Sequence, residues 1–443
     1  MKGEPFSPWS YSNPKEELTK FISSKCGSKT TAEKLFAKGI KSNYNTSTLN
    51  MTTSKILTRD FVLCFLAQIT FMAVYHLFVP TLPIYLSRLG SKETEIGVLV
   101  GVFGISSLVF RAIVGRALLT ISEKTLMITG GFLFALTSIA FLWASPFWSL
   151  FIVRIFQGIG FAFFYTAAMT LIANISPADY RGQSLSYFLL SPNISLALAP
   201  SFGMFLINHF NFNVLFLVCL ALSVCSLFIT NQLARREVVP LTNDSGKDGF
   251  LISWDAIPTS ILGFLFQFIW GALIAFFPLH AVHHGVANPG FFFTTLAIMM
   301  ILGRALGGKI LDRYSRETVI LPCLITASLS MGILAFSKTL PMFILVGVIW
   351  GIGHAFALPA LVAYTLDRVN SSRGLAMGTF TAAMDLGLAL GPAIMGIVIR
   401  GTSYPIMFLC LVLVGIINLI YFYFFVRGKK ALGMIDDLKA GSL

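Results

Sequence analysis

Twelve apolar runs fill the chain from Phe61 onward, and each is long enough for a helix to cross a hydrocarbon core of about 30 Å, which takes about 20 residues at 1.5 Å apiece. They fall near 58–83, 94–116, 125–145, 148–173, 182–207, 212–233, 255–279, 291–311, 318–337, 341–365, 374–399 and 404–426. The fold class they predict is an all-α membrane protein with twelve transmembrane helices. Hydrophobic residues make up 56% of the 443 and charged residues 12%, where a soluble protein carries about 25% charged. The formal charge of +13 is spread over short loops and tails, not along one face, which argues against a nucleic-acid partner.

The placement of those charges orients the chain. With both termini in the cytoplasm, inside loops hold Arg116, Lys124, Arg181, Arg235, Arg236, Arg313, Arg316, Arg368, Arg373 and Arg427, among others. Outside loops hold only Arg88, Lys92, Lys338 and Arg400. This positive-inside bias predicts a multi-pass protein of the inner or plasma membrane.

The runs are not independent. Arg304 and the charged turn ending at Glu317 are echoed about 193 residues earlier by Arg111 and the turn ending at Lys124. Gln157 to Gly160 matches Trp350 to Gly353, Arg181 and Gly182 match Arg373 and Gly374, Ala199 and Pro200 match Gly391 and Pro392, and Asn193 matches Asp385. A shared offset at so many landmarks indicates a duplication, with halves at 58–233 and 255–426. Between them 234–254 is expected to be a cytoplasmic linker, and 427–443 a cytoplasmic tail. Residues 1–57 are expected to be a disordered or non-native extension, with Met51 a candidate start.

Five of the six cysteines lie inside apolar runs without CxxC spacing, and His280, His283 and His284 have no carboxylate or cysteine nearby. Neither pattern predicts a metal site, and no cofactor is expected. The Gly-x-Ser-x-Gly, HExxH and P-loop patterns are absent, which argues against an enzyme.

Two related six-helix halves, with a Gly-xxx-Asp-Arg turn after an even-numbered helix, resemble the major facilitator superfamily over residues 58–426. The turn is matched by Gly308, Asp312, Arg313, Ser315, Arg316 and Glu317, while in the first half Leu119 replaces the aspartate. Arg154, Gln157, Gly158 and Gly160 match the helix-four pattern. The glycine and Gly-Pro pattern of antiporters is degenerate in helix five (Ser186, Ser195, Ala199, Pro200) but present in helix eleven as Gly378, Gly387, Gly391 and Pro392. Bacterial arabinose-efflux and drug-efflux permeases are the most similar group. The resemblance implies two pseudo-symmetric bundles that rock about a central cavity, and a secondary transporter.

Asp385 is the one acidic side chain in the middle of a predicted span, where a carboxylate costs about 2.5–3.5 kcal/mol and so faces a cavity or a partner. It is a candidate for proton or substrate coupling, or else a structural hydrogen-bonding group. Asn193 is its neutral counterpart, so function is expected to be asymmetric on a symmetric scaffold. By the family pattern Arg154 transfers protons or tunes an acid; otherwise it snorkels to the outer headgroups. His76 and His354 are candidates for a proton relay or for packing. Trp350, His354 and Tyr364 on helix ten, Gln267 and Trp270 on helix seven, and Tyr75, the counterpart of Trp270, suit an organic substrate with flat parts. Asp312, Arg313, Arg316 and Gly308, with Arg181, Arg111 and Arg304, are expected to form the gate. The expected activity is proton-coupled export of a small amphipathic compound by a monomer in the lipid bilayer. Proton-coupled uptake or uniport of a nutrient, and a non-transporting receptor or scaffold, remain as alternatives.

Overall fold

The computed structural model describes residues 57–144, 147–177, 180–235, 253–369 and 373–427, and at 182, 305–312, 373 and 374 the backbone alone. Among them are twelve transmembrane-type helices and no strand. They are α1 (Arg59–Arg88), α2 (Glu93–Ala117), α3 (Glu123–Ala140), α4 (Phe147–Ile175), α5 in two pieces (Arg181–Phe188 and Leu190–His209) and α6 (Phe212–Asn231). The second half has α7 (Ile257–His283), α8 (Gly290–Arg313), α9 (Arg316–Phe336), α10 (Leu340–Leu366), α11 (Arg373–Gly401) and α12 (Tyr404–Tyr421), which ends in a π turn, Phe422–Val426. Helices are the solution lipid imposes, because every backbone polar group must find its partner within the segment.

Ten of these are long and apolar enough to span a membrane; the described apolar part of α8 is shorter, and α3 opens on Glu123 and Lys124. Helix starts follow local chemistry. The side chains of Ser122, Asn211 and Ser315 accept from the backbone N–H of Thr125, Val214 and Thr318, capping α3, α6 and α9. The break in α5 at Leu189 has its cause three residues on. Pro192 has no N–H to offer the carbonyl of Phe188, which takes the Ser191 hydroxyl instead, at 2.7 Å.

The packing shows the duplication directly. In the first half α1 packs on α5 and α6, α2 on α4, and α3 on α4 and α6; six helices later α7 packs on α11 and α12, α8 on α10, and α9 on α10 and α12. Depth repeats too. The apolar window of α7 is 78% buried, while those of α6 and α12 are 28% buried each, so α7 is central and the equivalent pair α6 and α12 is peripheral. Trp148, Phe228 and Ile397 stay exposed, as they do where lipid is the solvent.

Two seams join the bundles, α2 with α11 and α5 with α8, and α1 meets α7 between them. The end holding Arg116, Arg181, Arg313 and Arg427 is called the basic end below. Away from it both seams close backbone to backbone. A Cβ added at Gly97 would collide with the carbonyl oxygen of Pro392, one at Gly101 with that of Ala389, and one at Gly396 would lie 2.5 Å from the Glu93 oxygen. On the other seam a Cβ at Gly290 would lie 2.5 Å from the Ser201 Cα. Thr294 donates its hydroxyl to Ala197 O at 2.6 Å and so accepts from Ser201 at 2.8 Å, and Asn208 donates to Ala287 O at 2.7 Å. Toward the basic end Gly115 on α2 and Gly378 on α11 have open space where a Cβ would stand.

Candidate functional site

Each seam ends, on the side toward the basic end, at an arginine that the repeat predicts to be equivalent. On the α2–α11 seam the Arg111 Nη1 donates to Asp385 Oδ2 at 2.6 Å, with the side chains 29% and 18% exposed. The Arg111 guanidinium also lies 5.9 Å from the Phe161 ring centroid and 5.7 Å from that of Tyr165, within cation–π range. Its Nε is buried without a partner. The sequence grouped Arg111 with the gate; the structure places it against the one acid of the span interior.

On the α5–α8 seam Arg304 faces the counterpart of that acid, Asn193. An amide offers no charge, and both side chains donate to the same backbone carbonyl, that of Leu189 at the α5 break, Arg304 at 3.4 Å and Asn193 at 3.1 Å. Arg304 makes no ion pair with any described residue. Its bond to Leu189 O carries it across the seam from α8 to α5.

Arg154 is 4% exposed, which excludes a side chain snorkelling to headgroups in this arrangement. Its Nε donates to Leu99 O at 2.9 Å, Nη1 donates to Gln157 Oε1 at 2.5 Å, and the guanidinium lies 4.6 Å from the Phe103 centroid. Gly158 makes this possible, since any Cβ there would strike Ser106 and the Phe103 carbonyl. Tyr75 stacks on the same Phe103 at 5.3 Å and lines with Arg154 and Ile274 a small cavity of about 30 Å³. His76 is buried beside Tyr75, with Nδ1 unpartnered.

In the second half Trp270 and Trp350 lie 6.0 Å apart and nearly parallel, and His354 is 5.4 Å from Trp270. Both His354 ring nitrogens, Trp350 Nε1 and Gln267 Oε1 are buried without protein partners among the described residues. Such groups want a polar guest. Tyr364 does not join them. It donates to Glu317 Oε1 at 2.9 Å, and Glu317 also holds Arg368 at 3.4 Å and Arg427 at 3.5 Å. That cluster clamps α9, α10 and the end of α12 at the basic end.

Of the gate residues, Arg313 and Arg181 are exposed, and Arg316 pairs with Asp367 at 3.6 Å. The side chain of Asp312 and the surroundings of Gly308, and with them the expected latch, lie outside what the structure describes. His280 is buried at the far end, its Nε2 3.1 Å from Ser337 O. Tyr165 and Glu317 were missed as site and clamp residues. Tyr165 had a signal: it lies about three turns after Arg154 on one face of α4.

The profile of the Major Facilitator Superfamily matches residues 64–287 and 259–433. The staphylopine export protein of Staphylococcus aureus is 25% identical over 356 residues, 75% of this chain and 88% of that one. Multidrug resistance protein 2 of Bacillus subtilis is 24% identical over 352 residues, covering 75% and 87%. Among solved structures, the nucleoside transporter NupG superposes with a TM-score of 0.68 at 15% identity, over 84% of this chain and all of the other.

Proposed function

Since the chain belongs to the Major Facilitator Superfamily and is a multi-pass transporter, not an enzyme, we propose that it moves a small amphipathic organic compound by alternating access, coupled to protons through Asp385. The observation that carries this reading is the Arg111–Asp385 pair. It joins the two bundles inside the span, where a carboxylate is tolerated only with a partner or a cavity. Protonating Asp385 removes the counter-charge of Arg111 at the inner limit of the α2–α11 seam and loosens that seam. Deprotonation restores it. A proton thus acts on the contact that must part when the bundles rock.

The described backbone contacts of the seams lie away from the basic end, which supports a reading in which the bundles part on that side, the cytoplasmic one by the positive-inside bias. Export is the direction supported by relatives named as an export protein and a multidrug resistance protein. The test is proton movement in everted membrane vesicles: a pH gradient is established, amphipathic compounds are added singly, and wild type is compared with Asp385→Asn. Compound-dependent loss of the gradient, absent in the variant, is expected. Equal exchange by both proteins would make Asp385 structural.

One observation favours a second reading, in which proton and substrate travel together. Arg111 and Arg304 each reach across a seam between the bundles, and Asp385 is the one described acid either of them pairs with. In the same vesicles, compound and proton would then cross in the same direction.

A further inference from the structure

The two seams differ in their packing contacts, and at their equivalent arginines they differ in charge: among the described residues no carboxylate stands opposite Arg304. On the α2–α11 seam an arginine meets a carboxylate; on the α5–α8 seam the equivalent arginine meets Asn193 and is left with a shared carbonyl at 3.4 Å, the outer limit of a hydrogen bond. We propose that the transported compound is an organic anion, and that its carboxylate occupies opposite Arg304 the place that Asp385 holds opposite Arg111. The inference rests on the reading of the inter-bundle space as the transport site and does not depend on the direction of transport.

Two further observations point the same way. The unpartnered groups around this space include donors as well as the acceptor Gln267 Oε1. Trp350 Nε1 and Arg111 Nε can only donate, and His354 has both nitrogens open. A buried donor without an acceptor is costly, and an oxygen-bearing anion supplies acceptors. The charge count agrees, because Arg111 and Arg304 reach across the two seams against one described acid, and a buried charge is tolerated when a guest neutralises it. Trp270, with the buried Trp350 stacked behind it, offers a flat apolar face for the rest of the molecule.

The anion has a consequence for coupling. Asp385 on α11 is faced by Arg111 from α2, and electrostatically by Tyr75 from α1 and Arg111's neighbour Tyr165 from α4. A second negative charge near this group favours its protonated form, and by reciprocity a proton on Asp385 favours the anion opposite Arg304 by removing a like charge. Proton and substrate then assist each other's binding.

The experiment uses the purified full-length protein in lipid nanodiscs and equilibrium dialysis against three probes of one shape: 2-naphthoate, 2-naphthalenemethanol and 2-naphthylmethylamine, with empty nanodiscs subtracted. Saturable binding of naphthoate at least about tenfold tighter than of the alcohol or the amine is expected, in line with a charged hydrogen bond. Arg304→Gln should lose about tenfold or more of it, Arg304→Lys should keep part, and Asp385→Asn should bind naphthoate at least as well as wild type. Asn193→Asp is the sharper variant. It supplies Arg304 with an internal acid and should exclude naphthoate, while a thermal unfolding midpoint at or above that of wild type shows that the protein is folded. Preference for the amine, equal binding of all three probes, or wild-type naphthoate affinity in Asn193→Asp would overturn the proposal. Proton-coupled movement of an uncharged compound in vesicles, with no naphthoate preference here, would remove the anion and leave the proton reading standing. Naphthoate binding with an indifferent Asp385→Asn in vesicles would do the reverse.

Discussion

The α2–α11 and α5–α8 seams descend from one repeated element, and comparing them separates what holds the bundles together from what makes them respond. Away from the basic end the two are alike in kind, since backbones touch at Gly97, Gly101 and Gly396 on one and at Gly290 on the other. They part company at a single position, where one carries Asp385 and the other Asn193. An amide in place of a carboxylate keeps the size and removes the charge. The scaffold is therefore symmetric while the electrostatics are not, and a response to protons is available to one seam alone.

The largest effect should come from erasing that difference. Asp385→Asn leaves both seams with an arginine that has no counter-charge, and proton-coupled transport in proteoliposomes carrying a pH-sensitive dye should fall more than about tenfold. One charge-assisted hydrogen bond is worth about 1.5–3 kcal/mol, which spans this range. Wild-type rates in the variant would show that the asymmetry has no part in coupling. A second test moves the acid across the molecule. In Asp385→Asn combined with Asn193→Asp, Arg304 gains the partner that Arg111 loses, and coupled proton movement should recover in part relative to Asp385→Asn alone. No recovery at all would mean that the seams are equivalent in packing only.

Packing can be tested apart from charge. Gly101→Leu puts a side chain where the Ala389 carbonyl sits. The forced separation of α2 from α11 should cost about 1–3 kcal/mol, seen as earlier thermal unfolding in detergent. It should also raise the labelling of an Ala389→Cys probe by an impermeant thiol reagent applied to the face opposite the basic end. Unchanged labelling would show that the seam is not the barrier there. The smallest effect belongs to Ser201→Ala, which removes the hydroxyl bond to Thr294 and should weaken the α5–α8 seam by about 0.5–1.5 kcal/mol in the same unfolding measurement.

Much of this was legible in the sequence, because lipid leaves a chain few options. Twelve apolar runs gave twelve helices, and the repeat named Arg111 with Arg304 and Asp385 with Asn193 as equivalent positions. Asp385 stood out as a mid-span acid. Its partner did not, since Arg111 lies 274 residues away near the end of its run and read as part of the charged turn that follows. The break at Leu189 was hidden inside an uninterrupted apolar run, although Pro192 marks it. Tyr364 misled for a geometrical reason. It shares a helical face with Trp350, but fourteen residues advance a helix by about 21 Å, which carries the tyrosine out of the cavity layer and into the Glu317 clamp.

The glycine contacts of the seams bear on the entropy of parting them. Side chains that lock together must surrender rotamers to do so, at up to about 2 kcal/mol for the longest of them. Where carbonyl meets glycine there are no rotamers to surrender, so parting the bundles along Gly97 and Gly101 liberates little side-chain motion. Along that stretch of the α2–α11 seam, then, side-chain entropy contributes little to whether the helices stay together or part. What remains to tip the balance is charge.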